Sequence, residues 1–283
     1  MSWLLLDAGN SALKWELVSP TLTGWPDGQD GGATLRWNGS VPIDAPHLAS
    51  ELARACAFSS ALSGLATPVA VFGCAVTHDE RVAAIDAAIR AAGAGPVQWL
   101  RANSTFEHDG IFLRNGYRDA QRLGPDRWLA LIGARARYPR PPLAVINAGT
   151  ATTVDGVHAD GRFIGGVIAP GLELMRAALA QGTARLPLAA GSYQSHPDNT
   201  DDAIRTGILE AQLGLIERRV RRIREDMGGK LQVVLSGGNA AVLAERLHGH
   251  GGFERLGLEP DLVLRGMWHQ ARALAAAALA AAP

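Results

Sequence analysis

The chain has 283 residues, 47% apolar and 19% charged, enough for a packed core and incompatible with wholesale disorder. Lys plus Arg equals Asp plus Glu at 27 each, which argues against a dedicated nucleic-acid binder. The length suits one large domain or two of ordinary size.

Leu4 to Val18, "LLLDAGNSALKWELV", reads as strand, turn, strand, and Thr21 to Gly32 as a polar, Gly-rich surface loop. His47 to Leu62 is helical by composition, "PVAVFGCAV" a buried strand, and Asp79 to Ala92 an Ala-rich helix. "VQWLRA" follows as a short strand, then a polar segment ends in "RNGYRDAQRLGPDR". A helix is predicted over Trp128 to Tyr138, stopped by "RPP".

The pattern then restarts. "LAVINAGTATTVDGV" is again strand, Gly turn, strand, and "HADGRFIGGVIAP" is a hairpin turning at Asp160-Gly161. Helices are predicted at Leu172 to Gln181, Thr200 to Asp226 and Ala240 to His248, with "LQVVLSGGNA" a buried strand before the last. The basic run "ERRVRRIRED", Glu217 to Asp226, has helical spacing with Leu215, Val220 and Ile223 on one side, as a solvated helix face requires. "ALAAAALAAA" near the C-terminus is too short for a membrane span and reads as a helix end. The expected division is an N-terminal lobe over 1–138 and a C-terminal lobe over 139–283.

The two cysteines, Cys56 and Cys74, sit in apolar runs and suggest neither a disulfide framework nor zinc, so a reducing cytosol is expected. The apolar start breaks at Asp7 without a basic leader, so no signal peptide is expected. The eight histidines lack the paired spacing of metal ligands.

The two Ala-Gly turns are the chemical signal. Glycine there lets a backbone approach a ligand, and consecutive N–H groups can converge on phosphate oxygens. Asn10, Ser11, Thr150 and Thr152 offer side-chain donors, Lys14 a positive charge, and Asp7 a carboxylate for magnesium. Each turn taken singly is better explained as an ordinary hairpin, since turn chemistry alone accounts for it. Paired, and followed by "SGGN" at Ser236 to Asn239, they resemble the phosphate-1, phosphate-2 and adenosine motifs of the actin-like ATPase fold. No Walker A loop is present, which disfavours a P-loop kinase.

"DAGNSALK" (7–14), "NGYRDAQRLGPDRW" (115–128), "AGTATTVD" (148–155), "GGVIAPG" (165–171) and "NTDDAIRTGI" (199–208) carry a closer likeness. In this order they resemble type III pantothenate kinases, including their Bvg accessory factor relatives, over most of the chain. The resemblance implies an α/β fold of two similar ribonuclease-H-like lobes with an interlobe nucleotide cleft. It implies ATP-dependent phosphorylation of pantothenate to 4′-phosphopantothenate in the cytoplasm, the first step of coenzyme A biosynthesis.

By the same resemblance Asp7, Ala8, Gly9, Asn10, Ser11, Ala12, Leu13 and Lys14 form the ATP-phosphate segment, and Thr150 is a second ATP contact. Tyr117, Gly124, Pro125, Asp126 and Arg127 match the pantothenate site, with Asp126 the catalytic base. Thr200 matches a residue that reaches the partner subunit's pantothenate in a homodimer. Arg127 is open to two roles, holding the pantothenate carboxylate or anchoring Asp126. "GPDRW" is also explained as a helix N-terminus, with Pro at its front and Asp at the positive end of the dipole. Tyr117 alone reads as a half-buried core tyrosine.

Magnesium is expected with ATP, and Asp155 is a second candidate ligand beside a structural hairpin role. Many members carry an acid where this chain has Asn147, and that acid holds a monovalent cation. An amide oxygen brings no net charge, so potassium or ammonium is expected to bind weakly. The alternatives are an accessory protein that assists transcription through a protein partner, or another actin-like small-molecule kinase. No helix-turn-helix supports direct DNA contact, and the Tyr117–Asp126 constellation speaks against another kinase.

Overall fold

The computed structural model describes residues 2–20, 25, 37–63, 70–248 and 253–281. The predicted loop at Thr21 to Gly32 lies outside them except for Trp25. The chain divides into two compact units: Met1–Leu113, Tyr117–Arg137 and Leu262–Pro283 in the first, Arg114–Gly116 and Tyr138–Asp261 in the second.

In the first unit β1 (Trp3–Ala8) pairs antiparallel with β2 (Ala12–Val18), and β2 with β3 (Trp37–Pro42). On its other side β1 pairs parallel with β4 (Ala70–Ala75), and β4 with β5 (Val97–Trp99). Alternation sends Leu4, Leu6, Ala8, Leu13, Trp15 and Leu17 into one core with α1 (Leu48–Ser63) and α2 (Asp79–Ala91). Trp3 turns to the opposite face and meets Phe72 edge-on at 5.1 Å between centroids.

That opposite face is covered by α7 (Leu262–Ala280), which packs against β1, β2 and β4. Trp268 donates from Nε1 to the Ser19 carbonyl at 3.3 Å, and Gln270 from Nε2 to that of Arg101 at 3.2 Å. With both faces covered, β1 reads as a continuous apolar run. Helix α7 also crosses α3 (Pro125–Arg137) at Gly133 and Gly266, where an added Cβ would meet the backbone of the other helix.

The second unit repeats the sheet. Its order is β10 (Phe163–Pro170), β9 (Ala151–Val157), β8 (Leu143–Ala148), β11 (Gln232–Ser236), β12 (Leu256–Leu258), the first three antiparallel and the rest parallel. Ile146, Val154, Val233 and Leu235 form its core with α5 (Thr200–Asp226) and α6 (Ala240–Leu247), while Met175 of α4 (Leu172–Gly182) packs on its edge. The basic run lies on α5 with Arg218, Arg221 and Arg222 exposed over buried Ile216, Val220 and Ile223. Ile216, rather than the partly exposed Leu215, faces the core.

Several elements differ from the sequence reading. The polar segment contains a hairpin, β6 (Thr105–His108) and β7 (Ile111–Arg114), turning at Asp109-Gly110 with φ of 50° and 74°. Both central residues in the left-handed region mark a type I′ turn. Helix α3 starts at Pro125, three residues ahead of the prediction, because proline is favoured at the first helical position. The C-terminal lobe was expected to run to residue 283, but the glycine crossing with α3 places α7 in the first unit.

Candidate active site

The first turn grows from the register of β1. Asp7 lies opposite Lys14 on the antiparallel side and opposite Cys74 on the parallel side. Cys74 is buried, and its Sγ is 3.8 Å from Asp7 Oδ1 as a weak donor. Asp7 keeps part of its surface accessible, yet the packing around it pushes its carboxyl up to about 6. Desolvation is the largest cause; Lys14 opposes it and the charge of Asp126 adds to it. Asp7 and Asp126 therefore sit within electrostatic reach inside one unit.

Asp126 is the second residue of α3, where the helix dipole favours a carboxylate. Its Oδ1 lies so close over Gly124 that a Cβ there would come within 2.6 Å, which explains the glycine before Pro125. The Gly124 carbonyl accepts from Trp128 N–H at 3.1 Å, opening the helix. Arg127 is buried at 4% exposure, and its Nη1 donates to the Tyr117 hydroxyl at 2.8 Å. Its guanidinium also stands 5.6 Å from the Tyr117 ring centroid. Tyr117 and Arg127 thus form a bonded pair in the first unit, with Asp126 next to Arg127 in the first turn of α3.

Within the turn, Gly9 N–H donates to the Ala12 carbonyl at 3.0 Å, and Asn10 and Ser11 occupy its tip. Arg81, in the first turn of α2, donates from Nη1 to the Asn10 carbonyl at 3.0 Å. Arg81 and Cys74 lie outside every motif of the sequence reading. The signal for both was β4, because a buried strand pairing parallel with β1 brings its C-terminal end beside the same turn.

The second turn is one residue shorter and closes in a similar way. Gly149 N–H donates to the Ala151 carbonyl at 3.0 Å, and the Thr150 carbonyl accepts from Gly171 N–H at 2.8 Å. Gly237, with φ of 97°, comes within touching distance of the Ala148 carbonyl, so the "SGGN" stretch seats directly on the turn. Asn147 is opposite Thr153 and Ser236 in the sheet, and its Oδ1 would lie 2.7 Å from a Cβ on Gly237. Asp155 is buried at 2% exposure beneath Gly166, four residues into β9 and about 13 Å along the strand from the turn. That position fits its hairpin role.

Thr200 is the exposed first residue of α5, capped by Asn199, whose side chain accepts from Asp202 N–H at 3.0 Å. The preceding chain is strapped to the helix: Ala190 N–H donates to Asp201, Ser192 N–H to Asp202 and Gln194 N–H to Thr206. The bond from Ser192 lowers the Asp202 carboxyl below its ordinary value.

Among the described residues no group of three or more His, Cys, Asp or Glu side chains converges as a metal cage. Magnesium characteristically binds one or two carboxylates and completes its shell with waters and phosphates. Asp7 fits that role: a carboxylate raised by burial and a second negative charge is relieved by a cation.

The sequence profile of the type III pantothenate kinase family matches residues 3–222. The type III pantothenate kinase of Laribacter hongkongensis is 39% identical over 269 residues, 95% of this chain and 98% of that protein. That of Aromatoleum aromaticum is 41% identical over 274 residues, 97% of this chain and 99% of the relative. Among solved structures, a Baf family transcriptional activator from Campylobacter jejuni superposes with a TM-score of 0.55 at 18% identity, covering 97% and 99% of the two chains. The activator of 2-hydroxyisocaproyl-CoA dehydratase from Clostridium difficile, bound to ADPNP, gives 0.51 at 13% identity, with 100% and 98% covered. These structural likenesses show that the two-sheet fold is shared with both proteins, and the sequence likenesses establish that the chain belongs to the type III pantothenate kinase family.

Proposed function

We propose that this chain transfers the γ-phosphoryl group of ATP to the primary hydroxyl of pantothenate, giving 4′-phosphopantothenate and ADP and opening coenzyme A biosynthesis. The observation that carries the reading is the approach of Asp126, at the head of α3, to Asp7 of the glycine turn within one unit. A carboxylate that can accept a hydroxyl proton is thereby within electrostatic reach of the residue that opens the turn.

Asp126 accepts the proton as the pantothenate oxygen bonds to the γ-phosphorus and the bond to the ADP oxygen breaks. Phosphoryl transfer has a loose transition state, so positioning and charge screening dominate. Residues Asp7 to Lys14 hold ATP phosphates, Lys14 screens their charge, and Thr150 supplies a second ATP contact. Tyr117, Gly124, Pro125 and Arg127 shape the pantothenate site, and the Arg127–Tyr117 bond fixes the tyrosine hydroxyl. Bound magnesium neutralises phosphate charge, with Asp7 as its protein ligand.

The working form is a cytoplasmic homodimer in which Thr200 reaches the partner subunit's pantothenate. Among the described residues no helix is long and apolar enough to cross a membrane. Asn147 offers only an amide oxygen to a monovalent cation, so potassium or ammonium stimulates weakly.

Purified protein incubated with magnesium, ATP and a panel of hydroxyl acceptors tests the reading. Pantothenate should be phosphorylated in preference to sugars and acetate, with little gain on adding potassium to a sodium-free buffer. Transfer to a sugar instead would contradict the acceptor assignment, and a steep, saturable potassium requirement would contradict the weak cation site.

A further inference from the structure

Both glycine turns have their outward carbonyls occupied, and by equivalent donors. In the first, Ala8 accepts from Val76 N–H at 3.0 Å, Ser11 from Ile43 N–H at 3.1 Å and Ala12 from Gly9 N–H at 3.0 Å. In the second, Ala148 accepts from Asn239 N–H at 2.9 Å, Thr150 from Gly171 N–H at 2.8 Å and Ala151 from Gly149 N–H at 3.0 Å. The donors match by position: one within the turn, one just after the third strand of the unit, and one just after the fourth.

One further carbonyl in each turn is held by a side chain. In the second turn Asn239 Nδ2, at the N-cap of α6, reaches the Gly149 carbonyl at 3.3 Å. In the first turn Arg81 Nη1, from the helix after β4, reaches the Asn10 carbonyl at 3.0 Å and Thr77 Oγ1 at 3.5 Å. The two units thus meet one requirement with different residues from the same place in the fold.

The requirement follows from peptide geometry. In a planar trans peptide the C=O and the following N–H point opposite ways. A donor that captures the Asn10 carbonyl therefore sets the direction of the Ser11 N–H. A phosphate cradle needs N–H groups turned inward and carbonyls turned away, because a carbonyl oxygen repels the anion. The tip at Asn10 and Ser11 lies between the strands, where no ladder bond fixes the peptide plane.

We infer that Arg81 is a positioning residue for the phosphate turn, acting through the Asn10 carbonyl to hold the Ser11 peptide in its phosphate-binding orientation. This rests on the reading of the turn as the ATP-phosphate site. Arginine suits the task because its fork stays charged and spans the gap from α2 while retaining a second bond to Thr77.

The test measures binding of Mg·AMPPNP and of adenosine by calorimetry, with KM for ATP and for pantothenate, in the parent, Arg81→Met and Arg81→Lys. Methionine keeps the reach and removes the donors; lysine restores a charged donor. Arg81→Met should weaken AMPPNP binding and raise the ATP KM about tenfold, as expected for loss of a charge-assisted hydrogen bond. Adenosine binding and the pantothenate KM should hold, and Arg81→Lys should recover most of the loss. Equal AMPPNP affinity in the parent and Arg81→Met would overturn the role of Arg81. So would an Arg81→Met variant that loses adenosine and pantothenate in parallel, since that is general damage to the unit. A parent that binds no AMPPNP would instead overturn the nucleotide reading beneath it.

Discussion

Asp7 concentrates the electrostatics of the first unit. Its carboxyl, raised to about 6 by burial first and by Asp126 after it, binds a proton more tightly folded than unfolded. This contribution to stability is therefore complete below about pH 4 and is lost as pH rises through about 6, a swing of about 1–3 kcal/mol. Comparing urea midpoints of the parent and Asp7→Asn without divalent metal isolates it. The variant should gain on the parent between pH 5 and 7, and a gap constant with pH would contradict the assignment. Residues adjacent in sequence were legible here: Asp7, Gly9 and Lys14 lie in one short motif. Cys74 and Arg81 were not, because only the parallel pairing of β4 with β1 brings them to the turn.

Elements were legible where one strong local signal decided them. Helix α5 runs from Thr200 to Asp226 as read, with Asn199 as its cap and buried Ile204, Ile208, Ile216, Val220 and Ile223 recurring at helical spacing. The β6–β7 hairpin was hidden because its strands alternate over four residues each, although Asp109-Gly110 carried the turn signal. β12 was hidden too, as its three residues, Leu256–Leu258, centre on a glycine and none of them is fully buried. For α7 only the alanine-rich end was visible; its other half is buried on every side with Arg265, His269 and Gln270 among the apolar residues, so no apolar stripe marks it as a helix. The start of α5 also carries a consequence. If Thr200 serves the partner subunit's site, mixing Asp126→Asn and Thr200→Ala protomers rebuilds one intact site in each heterodimer. Random exchange should then restore up to about a quarter of parental activity at low pantothenate. Activity no greater than that of the separate variants would contradict the crossing role.

At the scale of the molecule, the repeated strand–turn–strand in the sequence became two sheets of identical order, each with its glycine turn between the first two strands. The division of the chain was only partly legible. A change of unit near residue 138 follows the end of α3, but assigning α7 needed the glycine crossing at Gly133 and Gly266, which join positions far apart in sequence. The family was more legible than the architecture, because the segments that carry the likeness are each contiguous in sequence. The central claim is that the Asp126 carboxylate takes the proton of the pantothenate hydroxyl. Its most direct test is kcat at saturating Mg·ATP and pantothenate for the parent and Asp126→Asn, which preserves shape and removes the base. The account predicts a loss of at least about a hundredfold with AMPPNP affinity retained. Equal rates for the two proteins would contradict it.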